Sequence, residues 1–299
     1  MIGTRGKRVV RSVALIGLKV VAALPFRLCH AIGYCLGNLL YWIPNDARRI
    51  TRINLRLSFP DLSAADRARL ERRSLIQLMR GVFELGALWL WSGDRLLSLV
   101  RDVEGLEQLR DALGEGRGVI MLTPHLGAFE MIGLYCGYHF GGTSLYRPIR
   151  IGLGEDICRW RSRLGNRLVP TNRRGVIALR RALERGEGVG ILPDQDPPRD
   201  GGLYAPFFGI ETYTITLPSR LAISTGAVVM VIVAERLPWG GGFRISCRRA
   251  TNAIRNEPVE ASVAAMNREI EAMIREIPAQ YVWSYKRFKT RPPGVAKRY

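Results

Sequence analysis

From Leu106 onward the chain alternates between short apolar runs and amphipathic stretches, and this alternation limits the fold more than any other feature of the sequence. Runs at Gly118–Thr123, up to Tyr146, near Leu168, at Val189–Leu192, at Ala227–Ala234 and at Phe243–Arg248 read as strands. Between them, Glu104–Leu113, Ala128–Phe140, Glu155–Leu164, Gly175–Arg185, Leu217–Thr225 and Pro258–Glu276 read as helices, and a long loop is expected between Leu192 and Leu217. Strands that alternate with helices need crossover connections, so the expected class is α/β: a mixed, largely parallel sheet flanked by helices. No internal repeat or low-complexity segment interrupts it.

Upstream the pattern differs. Asp46–Leu99 reads as helical, with Ser63 and Asp66 spaced as a capping residue and an acid three positions later. Leu75, Leu78, Val82 and Leu85 then keep one apolar face. Residues 9–44 are strongly apolar, and Leu28–Asn45 holds no Asp, Glu, Lys or Arg. Eighteen residues rise about 27 Å as a helix, just short of a hydrocarbon core. Basic residues flank the stretch on both sides, Arg5, Lys7, Arg8 and Arg11 before it and Arg48, Arg49, Arg52 and Arg56 after it. Such symmetry favours a monotopic hairpin or interfacial helix, with a single span or a buried core helix as alternatives. No small-residue cleavage site marks a signal peptide. The expected division is a membrane anchor over 1–45, a helical segment over 46–103 and an α/β domain over 104–299.

Within the 299 residues, 45 basic side chains against 26 acidic ones leave a net charge of +19, and only five of the basic residues are lysines. Such a surface calls for anionic partners, and arginine suits phosphates and carboxylates because it binds them bidentately. Five scattered cysteines with no C-x-x-C spacing, and three scattered histidines, indicate neither a disulfide framework nor a metal site. No phosphate-binding glycine motif and no nucleic-acid motif is present, so no cofactor and no nucleic acid is expected.

The chemistry concentrates where the Gly118–Thr123 strand meets Pro124. His125 follows, then Gly127, then Glu130. A strand-end imidazole with a carboxylate five positions on is minimal equipment for drawing a proton from a hydroxyl, with His125 as general base and Glu130 orienting it. A satisfied structural histidine is the alternative. Arg147 lies just past another strand, where open α/β sheets bind ligands. Arg173 and Arg174 precede Gly175 at a helix start, where guanidinium groups and free amides would meet one anion. Asp194, Gln195 and Asp196 end the Val189–Leu192 strand. Phe207, Phe208 and Gly209 place two aromatics in the expected loop, as an acyl-tunnel lining, a lipid contact or plain core. Arg287 belongs to a basic, aromatic tail suited to phosphate or headgroup contact.

In this order the motifs P-H-L-G-A-F-E (124–130), Y-R-P (146–148), R-R-G (173–175), P-D-Q-D (193–196), P-F-F-G (206–209) and Y-V-W-S-Y-K-R-F-K-T-R-P-P-G (281–294) span nearly the whole chain. The set resembles the lauroyl/myristoyl acyltransferases of late lipid A biosynthesis, within the lysophospholipid acyltransferase superfamily. That resemblance implies a glycerolipid acyltransferase-like fold with an N-terminal membrane-anchoring segment on the cytoplasmic side of the inner membrane. It implies transfer of a fatty acyl group from an acyl carrier protein thioester to a hydroxyl of an anionic lipid A precursor. The amides near Gly127 and Ala128, or an arginine, are then the expected oxyanion donors. Val231 and Ala234 stand where relatives often carry prolines, and H-L-G-A-F-E lacks a common asparagine and tryptophan, so acyl length and acceptor stay open. Another glycolipid or aminolipid acceptor, or a non-catalytic anionic-lipid binder, are the competing expectations.

Overall fold

A computed structural model of the protein describes residues 4–146, 153–198 and 200–299. The helical N-terminal part comprises α1 (Thr4–Ala23), α2 (Phe26–Trp42), α3 (Asp46–Ser58), α4 (Ala64–Leu90) and α5 (Gly93–Leu97). The α/β part then runs β1 (Val100–Glu104), α6 (Leu106–Gly114), β2 (Val119–Leu122), α7 (Phe129–Phe140), β3 (Gly142–Tyr146) and α8 (Gly154–Ser162). It continues with β4 (Asn166–Pro170), α9 (Arg173–Glu184), β5 (Gly188–Ile191), β6 (Gly202–Phe207), β7 (Ile210–Ile215) and α10 (Leu217–Thr225). The last elements are β8 (Val228–Arg236), β9 (Phe243–Arg249), α11 (Ala253–Asn256) and α12 (Val259–Glu276).

Seven strands form one sheet in the order β1-β9-β8-β2-β5-β3-β4. Only the β8–β9 pair is antiparallel. The mixed, mostly parallel sheet flanked by helices is the class expected from the alternation. Central strand β2 is buried on both faces, and its side chains divide by the period of two. Ile120 and Leu122 enter one core with residues of α9, α10, α11 and α12. Val119 and Met121 enter the other with residues of α4, α6, α7 and α8.

Two strand regions differ from expectation. β1 falls at the end of the 46–103 segment expected to be helical and meets the helix expected over Glu104–Leu113 only at Glu104. Its burial alternates weakly because it is an edge strand paired only with β9, and so it carries no apolar run to betray it. The expected loop after β5 holds the hairpin β6–β7, with Phe208 and Gly209 at its tip in the left-handed region (φ 51° and 72°). Phe207 and Phe208 are buried against Trp283, Phe288 and α12, which makes them core.

Helix α4 begins with the expected cap. The Ser63 hydroxyl accepts from the Asp66 amide at 3.1 Å and donates to the Asp66 carboxylate at 2.6 Å. Helix α2 packs closely on α4 because Gly33 and Gly37 leave room: a Cβ at Gly37 would sit 2.4 Å from the Ile76 Cα. Among the described residues no single helix is long and apolar enough to cross a membrane. Val10–Ala23 and Phe26–Trp42 form a pair bent by 119°, which meets the length and composition test only together.

Candidate active site

Register brings the site together. In the parallel pair β2–β5, Leu122 stands opposite Ile191. Three residues beyond each strand end, His125 and Asp194 therefore meet. Asp194 accepts from the His125 backbone amide at 2.9 Å and lies 2.8 Å from Nδ1. Further backbone bonds fix the loop. Val282 donates to the His125 carbonyl, Gly127 donates to that of Gln280, and Ala128 to that of Ala234 at 2.7 Å. Gly127 has φ 62°, and a Cβ there would sit 2.1 Å from the Ala234 oxygen, so this crossing admits only glycine.

A carboxylate only accepts, so Nδ1 carries the proton and Nε2 holds the lone pair. The Gln195 amide nitrogen lies 3.1 Å from Nε2 and donates to it. Burial alone would raise the Asp194 carboxyl. The electrostatic attraction and hydrogen bonds of His125, with Arg287 beyond, outweigh that and leave it below its ordinary value. The buried Tyr281 phenol, facing the same carboxylate, is pushed well up, first by burial and then by that negative charge. Asp194 is thus an anion at neutral pH, with a side chain 1 % exposed, while that of His125 is 18 % exposed.

Glu130 does not orient the histidine. Its carboxylate, in the first turn of α7, receives Arg161 Nε at 2.8 Å and a second bond from Arg161 Nη2, while the Trp89 indole lies at 3.4 Å. Arg161 is half-buried and gains from a counter-charge, and a helix N-terminus favours the anion. Burial lowers the Arg161 guanidinium, but Glu130 more than compensates and holds it above its usual value.

His125, Arg161 and Glu130 open onto a cavity of about 310 Å³, walled on the far side by Leu78, Val82 and Leu85 of α4. A second cavity of about 100 Å³ runs between α7 and the sheet past Gly133, Gly137 and Gly190. Phe129, Glu130 and Arg161 line both. The amides of Gly127 and Ala128, expected as oxyanion donors, are consumed by the Gln280 and Ala234 carbonyls. Arg161 and Arg236 are guanidinium groups that line the larger cavity, Arg236 held by Glu84 and Arg161 by Glu130; neither spacing nor motif singles out Arg161 in the sequence.

The other expected ligand-binding residues lie elsewhere. Asp196 accepts from the Thr290 hydroxyl at 2.6 Å and faces Arg287 at 3.5 Å; burial raises its carboxyl. Arg287 is itself buried and donates to the Tyr213 carbonyl and the Thr214 hydroxyl. These two residues clamp the C-terminal tail onto the loop that carries Asp194. Phe207, Phe208 and Gly209 line neither cavity. Arg173 and Arg174 are exposed at the start of α9, away from both cavities, and the Asn172 side chain already caps the Gly175 amide. Arg147 lies outside the described residues. The Cys136 and Cys247 thiols are buried, the latter pushed up to about 12, which removes both as nucleophiles. Among the described residues no group of three or more His, Cys, Asp or Glu side chains is placed to hold a metal ion.

The bacterial lipid A biosynthesis acyltransferase family matches residues 6–290. The lipid A biosynthesis lauroyltransferase of Escherichia coli K12 is 29 % identical over 94 % of this chain and 92 % of its own length. The palmitoleoyltransferase of the same organism is 32 % identical over 92 % of this chain and 90 % of its own length. Its myristoyltransferase is 25 % identical over 88 % and 82 %. A match this long, over a chain whose strand-end histidine faces an apolar cavity, shows that the protein belongs to the bacterial lipid A biosynthesis acyltransferase family.

Proposed function

We propose that the protein moves a fatty acyl group from an acyl carrier protein thioester to a hydroxyl of a lipid A precursor. It would do so on the cytoplasmic face of the inner membrane, with His125 as general base. The observation that carries this reading is the His125 ring, held between Asp194 and Gln195 and lining the apolar cavity. An acceptor hydroxyl displaces the Gln195 amide and gives its proton to Nε2 as its oxygen attacks the thioester carbonyl. Asp194 holds the imidazolium that forms. The tetrahedral intermediate collapses, the carbon–sulfur bond breaks, and the leaving thiolate takes the proton back from Nε2. Arg161, held by Glu130, is the candidate for the developing oxyanion. No acyl-enzyme forms.

The apolar cavity walls suit acyl chains, and the net charge of +19 suits an acidic carrier and a phosphorylated acceptor. The bent pair α1–α2 with its exposed apolar residues supports a peripheral seat on the bilayer. The test is an assay on membrane fractions of wild type and His125→Ala. It uses a panel of acyl carrier protein thioesters and a tetra-acylated lipid A precursor, with products read by mass spectrometry. A gain of one acyl chain in wild type alone is the expected result. No gain with any donor would overturn the lipid A acceptor.

A further inference from the structure

The turn between β8 and β9 holds the most exposed large apolar side chain described in the molecule. Trp239 is 78 % exposed, and its backbone is left-handed, with φ 55° and ψ 28°. A bulky residue rarely adopts that conformation. Here the surroundings impose it. Leu237 donates to the Gly242 carbonyl, Gly241 donates to that of Pro238, and Arg101 Nε donates to the Gly241 oxygen at 2.9 Å. A Cβ on Gly240 would lie 2.9 Å from the Arg27 Cα, so the turn is seated directly against the start of α2. A strained, rigidly held and solvent-facing indole is a feature to be explained by function.

Helix α2 supplies the context. One of its faces, with Cys29, His30, Gly33 and Gly37, is buried against α4. The opposite stripe of Leu28, Ala31, Cys35, Leu39 and Trp42 is exposed at helical spacing. Val13, Ile16 and Val20 are exposed on α1. Trp42 closes the stripe at one end, and the Trp239 turn abuts its other end at Arg27. Fifteen helical residues separate these ends, about 22 Å at the helical rise. Exposed Arg27 and Arg101 touch the Trp239 turn, and Lys19 is exposed on α1. Indoles at both ends of an apolar strip, with cations beside them, form the chemistry of a membrane interface bearing anionic headgroups.

We propose that the Trp239 turn is a second membrane-inserting element, coplanar with the α1–α2 strip, and that its ligand is an anionic lipid bilayer. The inference rests on the peripheral membrane seat proposed above and adds to it a contact from the catalytic domain. Strand β8 lies beside β2 in parallel, and Ala234 bridges to Gly127 at the site. The turn follows five residues later on that sheet edge. Seating it in the headgroup layer therefore brings the cavity mouth toward the lipid.

The test uses the purified full chain and vesicles of phosphatidylglycerol and phosphatidylethanolamine, with no turnover required. Wild type is expected to co-float with the vesicles, while Trp239→Ala needs about tenfold more lipid for the same bound fraction. Lipids brominated on the acyl chain should quench a part of the tryptophan emission that is missing in Trp239→Phe. Unchanged melting of both variants shows that the turn still folds. Equal partition and equal quenching in wild type and variants would overturn the Trp239 contact and leave the α1–α2 seat standing. Failure of wild type to bind any vesicle would remove that seat and this contact with it. Loss of a dimer in Trp239→Ala, with lipid partition unchanged, would assign the patch to a second copy of the chain and overturn the bilayer.

Discussion

Two histidine–carboxylate pairs of nearly equal length lie in this molecule, and their surroundings are opposite. His125 Nδ1 is 2.8 Å from Asp194, and His30 Nε2 is 2.9 Å from Glu84. The His125 side chain is 18 % exposed on a cavity, whereas His30 is 2 % exposed and Glu84 not at all. Asp194 spends its oxygens on the ring and on the backbone amide of the same histidine, so it holds that residue in one pose. Glu84 divides its own between His30 of α2 and Arg236 Nε at the end of β8, at 2.7 Å. It thereby joins the N-terminal helices to the sheet. A close His–carboxylate pair is therefore no sign of catalysis in itself. The difference lies in the surroundings of the ring: His125 lines a cavity, whereas His30 is sealed in.

Removing the two histidines separates the pairs most strongly. His125→Ala should lower turnover by about 10²–10⁴-fold while melting stays close to wild type. Asp194→Asn should lose a comparable factor in kcat with little change in KM, because an amide at Nδ1 no longer enforces the tautomer. His30→Ala should retain turnover per folded molecule. Equal loss of kcat in well-folded His30→Ala and His125→Ala would break the distinction.

Glu84→Gln should show the reverse profile. Taking one partner from a buried ion pair leaves Arg236 uncompensated and costs about 3–5 kcal/mol. In a chain of this size that lowers the melting temperature by roughly 6–20 °C. Activity below the transition should stay near wild type. A variant that melts like wild type would show that the sealed pair is not the structural tie.

The contrast between the pairs also explains what could be read from the sequence. The strand–helix alternation pointed to the sheet, and a histidine just past an apolar strand pointed to the residue proposed as base, because both signals are local. The partner of that histidine is 69 residues away and is found only through the β2–β5 register. The nearby Glu130, at an inviting spacing, instead answers the half-buried Arg161 on α8. Asp194 did stand out as a strand-end acid on the same sheet edge, with no sign of which side chain it would serve. Phe207 and Phe208 read as tunnel lining, lipid contact or core until the β6–β7 hairpin, in a stretch expected as loop, packs them against α12. Glu84 gives no signal at all, since its partners come from α2 and from the end of β8.

Glu130→Gln sharpens the reading at smaller scale. The neutral amide weakens the hold on Arg161 but leaves the His125–Asp194 bond in place, so a loss of roughly 10-fold to 100-fold is expected, less than for Asp194→Asn. Arg161→Lys should resemble it, because a lysine cannot make the bidentate pair. If Glu130→Gln instead matched Asp194→Asn in kcat with Arg161→Lys near wild type, Glu130 would be the histidine's partner during turnover.

The smallest effect is expected in acid. Asp194 has a folded carboxyl below its ordinary value of 3.8, and Glu84 lies below its ordinary 4.5, where Arg236 and His30 outweigh the opposing effect of burial. A depressed carboxyl adds stability that is complete above the unfolded value and disappears as pH falls through the folded one. Each pH unit of depression is worth about 1.4 kcal/mol. Wild type should therefore lose melting temperature increasingly below about pH 4.5, where the first of these unfolded carboxyls is half protonated. The Glu84→Gln curve should be flatter from that pH down. The Asp194→Asn curve should part from wild type only below about pH 4, with the two curves parallel above it. Melting scans of the three proteins between pH 7 and pH 3 check this, and identical slopes would mean that neither carboxylate is held as an anion by its histidine.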